Sequence, residues 1–459
     1  MLAIRRAPEP IVTEPPHKKP SSRGAENAYF LSLSLGNIRC FAQEQRLNLE
    51  RSPGIPARWT LILGDNGVGK TTLMQLLALG AAMPRHTTVG MEEIGGAIPR
   101  LAYALWLPEL TRSGQDLSRV DYSVLWSRSL YQQESSEPDK SAIWWDANTD
   151  VRTFDEYREG KESVIYGYGA NRRRAPKGLT AETSDNPVET LFDDDATLRN
   201  PEEWLLQNEL VANTGSPLQD RARLQRARVR EILTRILPGI DDIRVIARAA
   251  ANQQVRATAE VHGPDGWVPF SALGLGYRTM TAWIVDLASR LFERYGDLAD
   301  PLSGAAVCLV DEIDLHLHPR WQRDLITRLT KLFPNTQFIA TAHSPLVVQA
   351  APDANVVVLK RQGDGVVIDN SPPSVRKWRV DQILTSELFD IPSARAPELD
   401  GLIRERDEIL AKPVLSDQDK HRLEEPREEI GVLPHGDTPE DIEAMDLIRR
   451  AAKALKDRP

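Results

Sequence analysis

Apolar positions along the chain follow two periods. Polar and apolar residues alternate through Tyr29–Leu35 and again through Arg46–Leu49, which predicts a pair of strands. Trp59-Thr60-Leu61-Ile62-Leu63 has the texture of a buried strand and runs straight into a glycine-rich loop. Thr71–Met83 then changes to helical spacing, with Leu73, Leu76, Leu77 and Gly80 on one face. Further along, Tyr277–Tyr295 places Met280, Trp283, Ile284, Leu287 and Leu291 at helical intervals. Ala305–Val310 is continuously apolar, as a parallel strand covered on both faces is. Pro319 opens a helix where its missing N–H costs nothing, and Trp321, Leu325, Leu329 and Leu332 line that helix. Gln337–Ala342 and Val356–Lys360 read as two more strands. Strands alternating with helices predict an α/β fold with a mostly parallel sheet.

The stretch 84–270 lacks this regularity and is expected to be an α/β insertion with a lid region. It holds an acidic, low-order segment from Glu182 to Asp195, a helical part near 199–237 in two pieces, and a hairpin of Val255–His262 with Trp267–Phe270. Residues 1–27 carry five prolines among polar residues and read as a disordered arm. The expected division is therefore a first lobe at 28–83, the insertion at 84–270, a second lobe at 271–375, and a helical, charged, partner-binding region at 376–459. A last helix is expected from Thr438-Pro439-Glu440-Asp441, with a cap, a first-turn proline and two acids at its positive end.

Composition narrows the class without naming the chemistry. The chain has 459 residues, 41% hydrophobic and 27% charged, as soluble globular proteins do. No apolar run approaches the roughly 18 residues that span a bilayer, so no membrane partner and a cytoplasmic location are expected. Cys40 and Cys308 make neither a metal framework nor a disulfide pattern. The net charge of −9 argues against a uniformly basic nucleic-acid coat, while leaving local basic patches open.

The candidate chemistry starts at the loop. Gly64, Asp65, Asn66, Gly67, Val68, Gly69, Lys70, Thr71 and Thr72 lie between a predicted strand and a predicted helix. Glycines let main-chain N–H groups close on a polyphosphate, and the helix adds its positive end. Lys70 supplies charge to the β- and γ-phosphates of ATP, and the Thr71 hydroxyl is placed to hold Mg²⁺. Asp311 and Glu312 end a buried strand, where the first can orient Mg²⁺ and the second can act as general base on the attacking water. His343 follows the next strand.

This order of glycine loop, Asp311-Glu312 and strand-borne His343 resembles the ATP-binding-cassette class of P-loop ATPases. Leu35-Gly36-Asn37-Ile38-Arg39-Cys40-Phe41 is similar to the opening strand of its RecF/SMC/OLD-like branch. The resemblance covers about 28–83 and 270–370. It implies that Asp314 takes the D-loop position, that His343 senses the γ-phosphate, and that two copies sandwich ATP as a homodimer or higher oligomer. In that class a Leu-Ser-x-Gly signature reaches the partner's nucleotide. Leu273, Gly274 and Gly276 match it best, with Gly274 where serine is expected, so hydrolysis is expected to be slow. The segments Asp311–Pro319 and Val380–Thr385 resemble the ATPases of bacterial anti-phage systems of the Septu and retron-associated type. That resemblance implies a separate HNH-type nuclease as partner.

Other features stay open on the sequence. Val164–Arg173 resembles a strand and loop of defence-type relatives, where Arg172 and Arg173 either meet phosphate or a partner, or serve structure and surface charge. His316-Leu317-His318 has metal-like spacing, but a dimer-contact or packing role suits it better. Arg221, Arg223, Arg226, Arg228, Arg230 and Arg235 crowd one helix, either to meet DNA or another nucleic acid or to pair with the acids of Glu182–Asp195. An SMC/RecF-like repair ATPase without a nuclease partner is the alternative function. An OLD-type nuclease and a transporter motor fit less well.

Overall fold

The computed structural model describes residues 27–79, 117–127, 130, 139–146, 151–155, 164–175, 186–215, 217–249, 255–375, 377–389, 391, 394, 396–410, 412 and 416–422. Two compact units divide the chain, Met1–Lys377 and Trp378–Pro459.

The first unit is built on a six-stranded sheet in the order Gly365–Asp369, Asn355–Gln362, Trp59–Gly64, Thr336–Thr341, Ala306–Val310, Ile165–Tyr168. Neighbours run parallel except for the hairpin that closes the Gly365–Asp369 edge. This is the α/β, mostly parallel fold that the alternating pattern predicts. Ala306–Val310 and Thr336–Thr341 are buried at every position, which is why they read as unbroken apolar or uncharged runs.

A second, antiparallel sheet has the order Gln45–Asn48, Asn27–Gly36, Leu117–Ser127, Asp139–Asp146, Val151–Asp155. The helix Lys70–Leu79 shares one core with both sheets, through Leu73, Leu76 and Leu77 among Leu33, Leu35, Val120, Val307, Leu309 and Ile339. It is buried nearly all round, not on a single face as its periodicity predicts, because apolar layers cover it from more than one side. Gln337 joins the sheets where the Asn27–Gly36 strand shifts register between Phe30 and Ser32. Its amide accepts from Phe30 N–H and donates to Phe30 C=O, both at 2.8 Å, which satisfies main-chain groups that the broken ladder leaves over.

Two expectations change, and one gains detail. The stretch 84–270, expected as an insertion within the head, supplies three strands of the antiparallel sheet and the edge strand Ile165–Tyr168 of the parallel one. Such long-range pairing leaves no mark in local periodicity. The acidic segment is packed where described, since Val188 and Leu191 are buried and Thr190 C=O sits where a Cβ on Gly169 would fall, 1.9 Å away. Asn27, placed at the end of the arm, is fully buried as the first residue of a strand, and its Oδ1 accepts from Val164 N–H at 2.6 Å. Residues 1–26, Gly80–Met83 and the expected helix from Thr438 lie outside the described residues.

The two-piece helical part is the pair Pro201–Asn213 and Gln219–Ile236, the first capped by Asn200. The predicted hairpin gains a third strand, Asp242–Ala249. The helix expected from Tyr277 starts at Leu275 and runs to Arg294. Among the described residues of the second unit the α-helices are Val380–Leu384, Asp400–Leu410 and Asp417–Arg422. Among the described residues no helix is long and apolar enough to cross a membrane.

Candidate functional site

The strand Trp59–Gly64 ends in backbone that only glycine adopts freely. Gly64, Gly67 and Gly69 have φ of +140°, +76° and +90°. At Gly69 a Cβ would meet Cys40 Sγ at 2.5 Å and the Phe41 ring at 2.8 Å, so the loop requires glycine there for space as well as conformation. Lys70 is buried and donates to Gly64 C=O and Asp65 C=O, each at 2.8 Å. Burial lowers its pKa, and Asp311 and Glu312 work in the opposite direction.

Parallel pairing of Trp59–Gly64 with Thr336–Thr341, and of the latter with Ala306–Val310, brings the acidic turn beside the loop. Thr71 Oγ1 donates to Asp311 Oδ2 at 2.6 Å. The other carboxylate oxygen accepts from Thr341 Oγ1 at 2.6 Å, and that same hydroxyl accepts from Glu312 N–H at 2.7 Å. Thr341 is fully buried. It thus ties both acids to one atom, a role the sequence reading passed over although Thr341 stands two residues before His343.

Arg39, Cys40, Asn66, Gly67, Gly69, Lys70, Thr71, Thr72, Asp311 and Glu312 line a cleft of about 300 Å³. Arg39 was also missed: it has φ +41°, and its Nη1 donates to Thr72 Oγ1 and Gln75 Oε1, both at 3.2 Å. Polyphosphate suits this cradle, in which glycines clear the approach and Lys70 supplies charge. Thr71 and Asp311 form a hard oxygen pair of the kind Mg²⁺ takes. Among the described residues no three His, Cys, Asp or Glu side chains converge on a metal position.

Asp314, His343 and Leu273–Gly276 are not among the cleft's lining residues. Asp314 is buried and its carboxylate accepts from His343 N–H at 3.0 Å, which leaves the imidazole exposed. Gln322 braces the same corner: its Oε1 accepts from Ser344 Oγ at 2.6 Å, while its Nε2 donates to Leu317 C=O at 3.1 Å. Gly274 caps the helix Leu275–Arg294 and is exposed, and a Cβ there would meet nothing within 4 Å. Gly276 is packed, with His316 C=O 2.4 Å from where its Cβ would be. His318 Nδ1 accepts from Arg320 N–H and caps the helix Pro319–Leu332, so this histidine is occupied by local structure.

The two arginines after the edge strand separate. Arg172 is buried and donates to Gly169, Asp311 and Glu312 carbonyls, whereas Arg173 is exposed and pairs with Asp195. Burial pushes Arg172 down to about 10, against the fields of Asp311, Glu312 and Asp314. Its bonds go to main chain of the acidic turn and of its own loop. Among the described residues, the arginine-rich helix pairs with acids other than those expected. Arg226 pairs with Glu209 at 2.6 Å, Arg230 with Asp242 at 2.5 Å, and Arg228 and Arg235 with Glu231 at 3.0 and 2.8 Å. Arg221 donates to Phe292 C=O. The helix's charge is thus largely met by Glu231 of the same helix, Glu209 of the neighbouring helix and Asp242 of the following strand.

A family model described as "AAA domain, putative AbiEii toxin, Type IV TA system" matches residues 60–349, and a further AAA-domain model matches 32–82. The Septu protein PtuA of Bacillus mycoides (strain KBAB4) is 24% identical over 386 residues, 83% of this chain and 47% of that protein. The "Retron Ec83 probable ATPase" of Escherichia coli is 47% identical over 88 residues, 19% of this chain and 16% of that protein. The chain spans less than half the length of these curated relatives. Among solved structures, an SMC head bound to the C-winged helix domain of ScpA aligns over 74% of this chain and 96% of its own, with a TM-score of 0.44 and 14% identity.

Proposed function

The chain belongs to the AAA-domain family whose model covers residues 60–349, and from that membership we propose an ATP-gated clamp that controls a separate effector in anti-phage defence. It is a P-loop ATPase related to the Septu and retron ATPases. The observation that carries the proposal is the hydrogen-bond chain from Thr71 through Asp311 and Thr341 to Glu312.

In this reading the loop Gly64–Thr72 holds the triphosphate of ATP. Mg²⁺, when bound, neutralises charge on the β- and γ-phosphates. Thr71 and Asp311 would hold that ion, Thr341 orients Asp311, and Glu312 takes the proton of the attacking water. Asp314 sets the backbone of His343 so that the exposed imidazole follows the γ-phosphate. Leu273, Gly274 and Gly276 serve the nucleotide of a second copy, because they lie outside the cleft of their own chain. Missing the serine hydroxyl, Gly274 makes hydrolysis slow. Closing and opening of the two heads then passes to the region 376–459, which holds the effector, an HNH-type nuclease. The repair-ATPase alternative draws little support from the arginine-rich helix, most of whose cations pair with acids of this chain.

Lys70→Ala is expected to abolish ATP binding, measured by titration with a fluorescent ATP analogue. Glu312→Gln is expected to bind Mg·ATP, hydrolyse it slowly and accumulate as a dimer in light scattering. A mass that never changes with Mg·ATP would reject the clamp.

A further inference from the structure

Behind the acidic turn lies one cation whose bonds all go to main chain. Arg172 is 3% exposed. Its Nε donates to Gly169 C=O at 3.1 Å, and its Nη2 donates to the carbonyls of Asp311 and, at 2.7 Å, Glu312. Both Arg172 and Glu312 are in left-handed backbone, with φ of +40° and +47°. Residues without glycine's freedom hold that conformation only at a cost, so something in the surroundings must fix it.

The fixing groups are identifiable. Glu312 N–H is held by Thr341 Oγ1 and Glu312 C=O by Arg172, one contact on each side of its Cα. Its carboxylate has no hydrogen bond among the described residues and borders the cleft. Main chain pinned at both ends with the side chain left free is the arrangement for aiming a carboxylate at a bound substrate. Stability by itself does not explain the choice of residue, because Arg172 Nη1 is buried without a partner among the described residues, and an unmet buried donor is costly.

We propose that Arg172 is a positioning residue for ATP hydrolysis, whose grip on the Asp311 and Glu312 carbonyls holds the left-handed turn that aims the Glu312 carboxylate into the cleft. The inference rests on the reading of Glu312 as general base. Arg172 does not line the cleft itself; it reaches the site only through the carbonyls of Asp311 and Glu312, which do. A merely structural arginine would, on removal, lower stability and nucleotide binding together; a positioning one lowers the chemical step selectively.

The test uses the full chain with R172A, R172K, E312Q and the double variant R172A/E312Q. Mg·ATP affinity is read with a fluorescent ATP analogue, and hydrolysis by single turnover at saturating ATP. R172A is expected to bind Mg·ATP within about threefold of the wild type yet hydrolyse it about 100-fold more slowly, the scale of a displaced general base. R172K keeps the charge without the planar fork and is expected to stay at least about tenfold slow. The double variant should lose little beyond E312Q alone, since Arg172 acts through Glu312. If R172A does not fold, folded R172K decides: wild-type turnover overturns the proposal, and slow turnover with intact binding supports it. Additive losses in the double variant also overturn it. Wild-type turnover by E312Q removes the general-base reading and the inference with it. A slow E312Q beside unimpaired R172A and R172K removes the inference alone.

Discussion

At the residue scale, the cleft depends on a few atoms with no substitute. Thr341 is a fully buried hydroxyl that donates to Asp311 and accepts from Glu312 N–H. Valine has nearly the same shape but neither bond, and it would strand the Glu312 N–H. Thr341→Val is therefore expected to cost about 1–3 kcal/mol in denaturant unfolding and to slow hydrolysis. Unchanged stability would mean that water replaces the hydroxyl. Gly69 is constrained by φ +90° and by Cys40 and Phe41. Gly69→Ala is expected to weaken ATP-analogue binding by at least about tenfold, because the loop must shift by more than a bond's tolerance. Gly274 is the contrasting case, an exposed glycine with open space around it. Gly274→Ser should fit without strain and, under the proposed two-copy clamp, add a donor toward the second copy's nucleotide and raise steady-state hydrolysis by about tenfold; an unchanged rate would detach this segment from the reaction.

At the element scale, the helix Leu275–Arg294 and the edge strand Ile165–Tyr168 are pinned by one buried acid. Asp286 accepts from Tyr168 Oη at 3.0 Å and from Arg290 Nε at 2.7 Å. Burial, with Asp286 beside it, pushes the Tyr168 phenol well above its ordinary range and keeps it a donor. Removing one member of such a pair leaves the other charge buried and alone. Asp286→Ala is expected to destabilise the protein by about 3–5 kcal/mol, read by denaturant unfolding. The arginine-rich helix Gln219–Ile236 behaves differently, since its ion pairs are half-exposed at the surface and worth about 0–1 kcal/mol each. Replacing Arg226 and Arg230 by glutamine should change stability little and leave the salt dependence of any DNA binding unaltered. A flatter salt slope would return this helix to the nucleic-acid reading. Periodicity foretold the two helices here, but not their partners: Glu209, Glu231 and Asp242 come from the neighbouring helix, the same helix and the following strand.

At the scale of the whole molecule, the two sheets and the helix between them explain how a loop near residue 65 and a turn near residue 311 form one cleft. Much of this was readable beforehand. The glycine loop announces itself through residue types at fixed local spacing, and Asp311, Glu312 and His343 through their places at the ends of apolar runs, because strand and helix periods are local properties of the chain. The strand order, the membership of Ile165–Tyr168 in the parallel sheet and the bridging by Gln337 are pairings across more than a hundred positions, and no period records them. The same division holds within the site. Residue chemistry alone singled out the groups proposed to hold phosphate and magnesium. Only the tertiary structure decided that Thr341 joins the two acids, that Asp314 turns to the His343 backbone, and that Arg172 lies beneath the turn, because each is a contact made by packing between segments distant in sequence.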